Sequence, residues 1–110
     1  LTTHVLDLAR GSPAEGVAVR LFRDPGLAAV AAAVTDIDGR AKLLEARTLA
    51  AGAYRLEFDV GPHFRASGLA TDDPAFLETV IIAFNVETGR EALHVPLLAS
   101  PFGYSTYRGS

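Results

Sequence analysis

The sequence predicts an all-β domain, a sandwich or barrel of about seven or eight short strands with one short helical turn. Two observations predict it. Short runs of β-branched and aromatic residues recur between clusters of Gly, Pro, Asp and Asn, at the spacing of strands joined by tight turns. Within those runs apolar and polar residues alternate, most clearly where Tyr54, Leu56 and Phe58 interleave with Arg55, Glu57 and Asp59, the period of a strand buried on one face. At 110 residues the chain has the length of one domain, so one core and one site are expected over positions 1–110.

Thr3 to Leu8 reads as a first strand, ended by the turn-forming residues Arg10-Gly11-Ser12-Pro13. Val17, Val19 and Leu21 alternate with Ala18, Arg20 and Phe22 in a second strand. Gly26 to Val34 carries five alanines that favour helix, yet it is short for an isolated helix and lies between strand-like runs, so it is read as a strand. Asp36-Ile37-Asp38-Gly39 forms a turn with Gly39 where a positive φ is needed, which sets Arg40 at the rim as the next strand begins.

Gly52 introduces the alternating strand through Asp59, and Pro62 is placed as the first residue of a helical turn through Ala66, closed by Gly68. Leu77 to Val86 is apolar on both faces, as expected of a strand covered by the core on one side and by something further, such as a second subunit, on the other. Glu87-Thr88-Gly89-Arg90 reads as a hairpin loop into a strand over Ala92 to Leu98. Ser100-Pro101-Phe102-Gly103 then turns the chain into a last strand from Tyr104.

Composition removes several classes of function. There is no cysteine, so disulfides, thiolate nucleophiles and zinc–thiolate sites are excluded. A net charge of −3 with scattered basic residues argues against a nucleic-acid partner. The longest apolar run, Gly26 to Val34, is too short to cross a bilayer, and no membrane partner is expected. The first residues, Leu1-Thr2-Thr3-His4, are not a basic segment followed by an apolar run; the expectation is a cytoplasmic protein, the periplasm staying open if a leader has been removed.

His, Asp, Glu, Arg, Ser and Tyr are left to carry any chemistry. His4 shares parity with Leu6 and Leu8 rather than with Asp7, and a lone histidine on an apolar face is most often a buried or interfacial one with a satisfied hydrogen bond. His94 lies mid-strand just before Pro96, whose missing amide requires a sheet edge or a bulge. His63, between Pro62 and Phe64, reads as a surface residue. No His-x-His or His-x-x-x-His pair suggests a metal, and no Gly-x-Ser-x-Gly elbow suggests a serine nucleophile. Water activated by imidazole, with a guanidinium holding an anion, is the chemistry that survives. The ending Tyr107-Arg108-Gly109-Ser110 concentrates polar groups, but composition alone reads it as a frayed tail.

Several segments together resemble the transthyretin-like family in its 5-hydroxyisourate hydrolase branch. They are Leu1-Thr2-Thr3-His4-Val5-Leu6-Asp7, Gly11-Ser12-Pro13-Ala14, Asp38-Gly39-Arg40, His94-Val95-Pro96-Leu97-Leu98-Ala99-Ser100-Pro101, Gly103-Tyr104-Ser105-Thr106 and the closing Tyr107-Arg108-Gly109-Ser110. The resemblance spans essentially the whole chain and departs from the family's usual pattern in the alanine-rich stretch Leu27 to Val34. It implies a prealbumin-like sandwich of two four-stranded sheets with one short helix, assembled as a homotetramer from two dimers, with active sites in the channel between them. It implies a hydrolase of urate catabolism that needs no cofactor and no metal, and whose small-molecule substrate is 5-hydroxyisourate. Carried over, His4 and His94 position and deprotonate a water, Arg40 holds the anionic ring, and Ser110 is a direct participant. Tyr107, Arg108 and Gly109 close the pocket over the substrate. Which histidine is the base stays open. The rival from another class is a non-catalytic carrier of aromatic anions, which shares Val5-Leu6-Asp7 and Tyr104-Ser105-Thr106; the resemblance implies that His4, Arg40, His94 and the tail separate hydrolase from carrier.

Overall fold

In the computed structural model, which describes residues 1–45, 49–69 and 72–109, two sheets enclose one apolar core. In chain order the elements are β1 Thr2–Asp7, β2 Ser12–Pro13, β3 Ala18–Arg23, β4 Ala31–Val34, β5 Arg40–Lys42, β6 Gly52–Asp59, α1 Val60–Ala66, β7 Thr79–Val86, β8 His94–Ser100 and β9 Gly103–Thr106. One sheet runs β4-β3-β6-β7, antiparallel throughout. In the other, β1 lies parallel to β8 along its whole length, from Thr2 opposite His94 to Asp7 opposite Ala99. The far edge of β1 is shared by two short pieces, β5 against Thr2, Thr3 and His4 and β2 against Leu6 and Asp7. That sheet therefore holds five segments, yet it is as wide as the four strands the resemblance implies.

Several expectations are corrected. Ser12 and Pro13, read as part of a turn, pair with β1, and Pro13 takes an edge position where a missing amide donor is tolerated. Only Ala31–Val34 of the alanine-rich run is strand; Leu27 is 91% exposed, so the first half has no apolar contact to hold it extended. The helix starts at Val60, directly from β6, so Pro62 is its third residue; its lack of an amide costs nothing there, because first-turn amides have no partner within the helix. Residues 87–90 are not a hairpin: β7 and β8 lie in different sheets, and the segment crosses between them. Within one chain β7 is covered on one face only, with Val80, Ile82 and Val86 buried and Ile81 exposed. No helix among the described residues is long and apolar enough to cross a membrane.

The parity of β1 groups His4 with Leu6 and Leu8 as expected, but that face points outward. Thr3, Val5 and Asp7 are the buried set, and Leu8 is largely exposed. Asp7, at 1% exposure, would be a costly buried carboxylate without partners. It has two: the Arg10 N–H donates to Oδ1 at 3.0 Å and His63 Nε2–H donates to Oδ2 at 2.9 Å. His63 is thus not the surface residue expected from its loop-like neighbours. Its ring also meets the buried Phe64 edge-on at 5.0 Å, so α1 ties the end of β6 to the end of β1.

Removing one partner of a buried pair leaves the other charge uncompensated, which costs about 3 kcal/mol. His63→Ala should lower the unfolding free energy measured in urea by roughly that amount. A loss below about 0.5 kcal/mol, the scale of an ordinary surface substitution, would mean that Asp7 does not depend on the histidine.

Candidate active site

Two adjacent rows across the β1 sheet collect the polar side chains. One row runs Lys42, Thr2, His94 and Gly109; the next runs Arg40, His4 and Pro96. Residues two apart on a strand share a face, so Thr2, His4, Arg40, Lys42 and His94 stand together on the outward side. The parallel β1–β8 register brings the two histidines together across a separation of about ninety residues.

Arg40 is set by the turn before it. Asp36 Oδ1 accepts from the N–H groups of Asp38 at 2.9 Å and Arg40 at 3.0 Å, and Gly39 takes φ +76°. The Val5 N–H donates to the Gly39 carbonyl at 2.7 Å, and a Cβ on Gly39 would sit 2.5 Å from the Val5 oxygen. Only glycine lets this turn dock so closely on β1, and the docking places Arg40 opposite His4.

His94 is held from both sides. Its Nδ1 lies 2.8 Å from Thr2 Oγ1, and its carbonyl accepts from the Gly109 N–H at 2.8 Å. A Cβ on Gly109 would come within 2.6 Å of His94 Cδ2, so the tail passes directly over the ring and has room only for glycine. Thr2, Arg40, Lys42, Arg90, His94 and Gly109 all line a cavity of about 660 Å³. Lys42 is paired with Glu45 and Arg90 with Glu87, whereas Arg40 enters no ion pair among the described residues. Partial burial holds the His94 pKa below the usual histidine value, helped by the positive charge of Arg40 and then by His4, with an interaction with the Thr2 backbone opposing. That lowering favours the neutral imidazole, with a cation beside it to attract an anion.

The other expected site residues are distributed unevenly. His4 does not line this cavity, but it stands one row away and close enough for its charge to act on His94. Tyr107 and Arg108 line a separate cavity of about 250 Å³ with Phe84 and Leu93. Ser110 lies outside the described residues. Thr2 was not singled out by its sequence, because its role depends on a partner strand that no local pattern reveals. Among the described residues, no group of three His, Asp or Glu side chains is placed to hold a metal ion.

In a pH titration followed by NMR, His94 should have its midpoint below the free-histidine value of about 6.5. Arg40→Met should move that midpoint upward, since removing a neighbouring cation makes protonation easier. A midpoint at or above the free value in the unaltered protein would contradict this electrostatic picture.

The sequence matches the family model described as HIUase/Transthyretin family over residues 1–109. It is 55% identical to a 5-hydroxyisourate hydrolase from Caulobacter vibrioides, an alignment covering 100% of this chain and 97% of the relative. Among solved structures, the 5-hydroxyisourate hydrolase of Klebsiella pneumoniae superimposes with a TM-score of 0.82 at 37% identity, covering 99% of this chain and 97% of the other. Sea bream transthyretin in complex with thyroxine superimposes with a TM-score of 0.84 at 30% identity, covering 98% and 92%.

Proposed function

This chain belongs to the HIUase/Transthyretin family, and on that premise we propose that it hydrolyses 5-hydroxyisourate to 2-oxo-4-hydroxy-4-carboxy-5-ureidoimidazoline in urate breakdown. The observation that carries the reading is the convergence of His4, His94 and Arg40, which enters no ion pair among the described residues, on one face of the sheet. Similarity to relatives that bear the hydrolase name over their whole length supports it.

Arg40 holds the anionic ring in the cavity and steadies the negative charge that grows on the attacked carbonyl oxygen. A neutral imidazole takes a proton from water as the water oxygen bonds to the carbonyl carbon of the six-membered ring. Collapse of the tetrahedral intermediate breaks the ring C–N bond, and the proton passes to the departing nitrogen, leaving a carboxyl group and a ureido group. Gly109 brings the tail over His94, and the role proposed for Tyr107 and Arg108 is to close the pocket over the substrate in the assembled protein, with Ser110 a direct participant. The assembly proposed is a homotetramer, a dimer of dimers. Supporting it, Leu8, just past the end of β1, and Tyr104, on β9, are about half exposed, as an interface would require of them, in the sheet that bears the site.

The thyroxine complex of the sea bream protein keeps a carrier of aromatic anions as the second reading, since the two folds are so similar. A carrier has no use for an imidazole held toward its neutral form beside a guanidinium.

The test is ultraviolet spectroscopy during urate oxidation: the protein should hasten the loss of 5-hydroxyisourate absorbance well beyond its spontaneous decay, and an unchanged decay refutes the hydrolase. His4→Ala and His94→Ala should each lower turnover by about a hundredfold or more if they act in proton transfer.

A further inference from the structure

Thr2 and Thr3 both reach from β1 to β8, but on opposite faces. The Thr3 hydroxyl donates to the Val95 carbonyl at 2.6 Å inside the core, a contact that ties strand to strand. Thr2 sits on the outer face, and its oxygen meets a ring nitrogen, His94 Nδ1, at 2.8 Å. Among the described residues the Thr2 side chain has no other hydrogen-bond partner and His94 Nε2 has none.

The ring's surroundings fix how it can be used. Nδ1 is engaged by Thr2, and Cδ2 lies against Gly109, where even a methyl group would collide. Those contacts leave Nε2 as the ring nitrogen without a hydrogen-bond partner among the described residues, on a side chain that lines a cavity together with Arg40. A threonine hydroxyl can either donate to Nδ1 or accept from Nδ1–H. If it donated, the ring proton would sit on Nε2, and an N–H would meet the positive field of Arg40, which lines the same cavity and enters no ion pair among the described residues. Accepting from Nδ1–H instead turns the Nε2 lone pair toward that positive field, the favourable orientation of the ring dipole.

We propose that Thr2 is a positioning residue that accepts a hydrogen bond from His94 Nδ1–H, selecting the tautomer whose Nε2 is the proton acceptor in the cavity. The inference rests on the hydrolase reading and deepens it, because it assigns the base to His94 rather than His4. Thr2 plays the part of the third group that orients a base in nucleophile–base–orienter arrangements. A neutral hydroxyl in that place leaves the imidazole free to lose its proton again, since no fixed negative charge holds the imidazolium.

Two variants and one spectrum test it. Thr2→Val keeps the shape and loses the hydroxyl; it should lower kcat by about tenfold or more, the scale of losing a group that orients a functional histidine, with KM changed by less than about twofold. Thr2→Ser restores the hydroxyl and should return kcat to within about twofold of the unaltered enzyme. In protein labelled with nitrogen-15 at histidine, His94 should carry its proton on Nδ1, and Thr2→Val should shift the balance toward Nε2–H. A strand-tying role alone would change stability without moving the tautomer or splitting kcat from KM. Full kcat in Thr2→Val, or an Nε2–H tautomer in the unaltered protein, overturns the proposal. If the unaltered protein fails to act on 5-hydroxyisourate, the hydrolase reading falls, and the tautomer still decides the contact between Thr2 and His94.

Discussion

The parallel pairing of β1 with β8 is the constraint on which the rest depends. Parallel strands cannot be joined by a tight turn, and here the chain builds the whole second sheet and the helix before β8 returns to the first. Closing so large a loop costs entropy that grows only slowly with its length, and the buried face of β1 supplies the compensation. Val5 and Leu97 are essentially fully buried, and Thr3 satisfies its hydroxyl on the Val95 carbonyl. Because side chains alternate along a strand, fixing the inward set fixes the outward set as well. A slip of one residue would bury His4 and expose Asp7. The register that makes the core therefore also makes the site.

Asp7 adds a second lock on that register. A carboxylate inside a core is tolerated only where its oxygens are bonded, and the two groups that bond it come from the turn after β1 and from α1. The pair ties the helix at the end of one sheet to the site-bearing strand of the other. Two residues back along β1 the Asp36–Gly39 turn docks on Val5 and delivers Arg40 opposite His4. Strand, turn and helix thus hold the same six residues from three directions, the rigid backing that catalytic groups need.

Much of this was legible in the sequence and some could not have been. The alternation over Tyr54 to Asp59 announced β6, and the glycine in Asp36-Ile37-Asp38-Gly39 announced the turn, because both signals are local. The partition of strands into sheets was not legible: Glu87 to Arg90 has hairpin chemistry, but only the core decides that the chain crosses to the other sheet there. The face of β1 was misjudged in one respect. Leu6 and Leu8 look like core residues and Asp7 like a surface one, and the reversal depends on His63, a partner far along the chain. The resemblance pointed to His4, Arg40 and His94, which the fold brings to one face of the sheet, whereas Thr2 emerged only from the register opposite His94.

The central claim is that the β1–β8 register makes His4, His94 and their neighbours one catalytic unit rather than separate contributors. A double-mutant cycle on kcat/KM with His4→Ala, His94→Ala and the double variant tests it most directly. Residues that act as a unit are strongly non-additive, so the double variant should lose little more than the worse single one. Losses that multiply, each histidine contributing the same factor whether or not the other is present, would contradict the account.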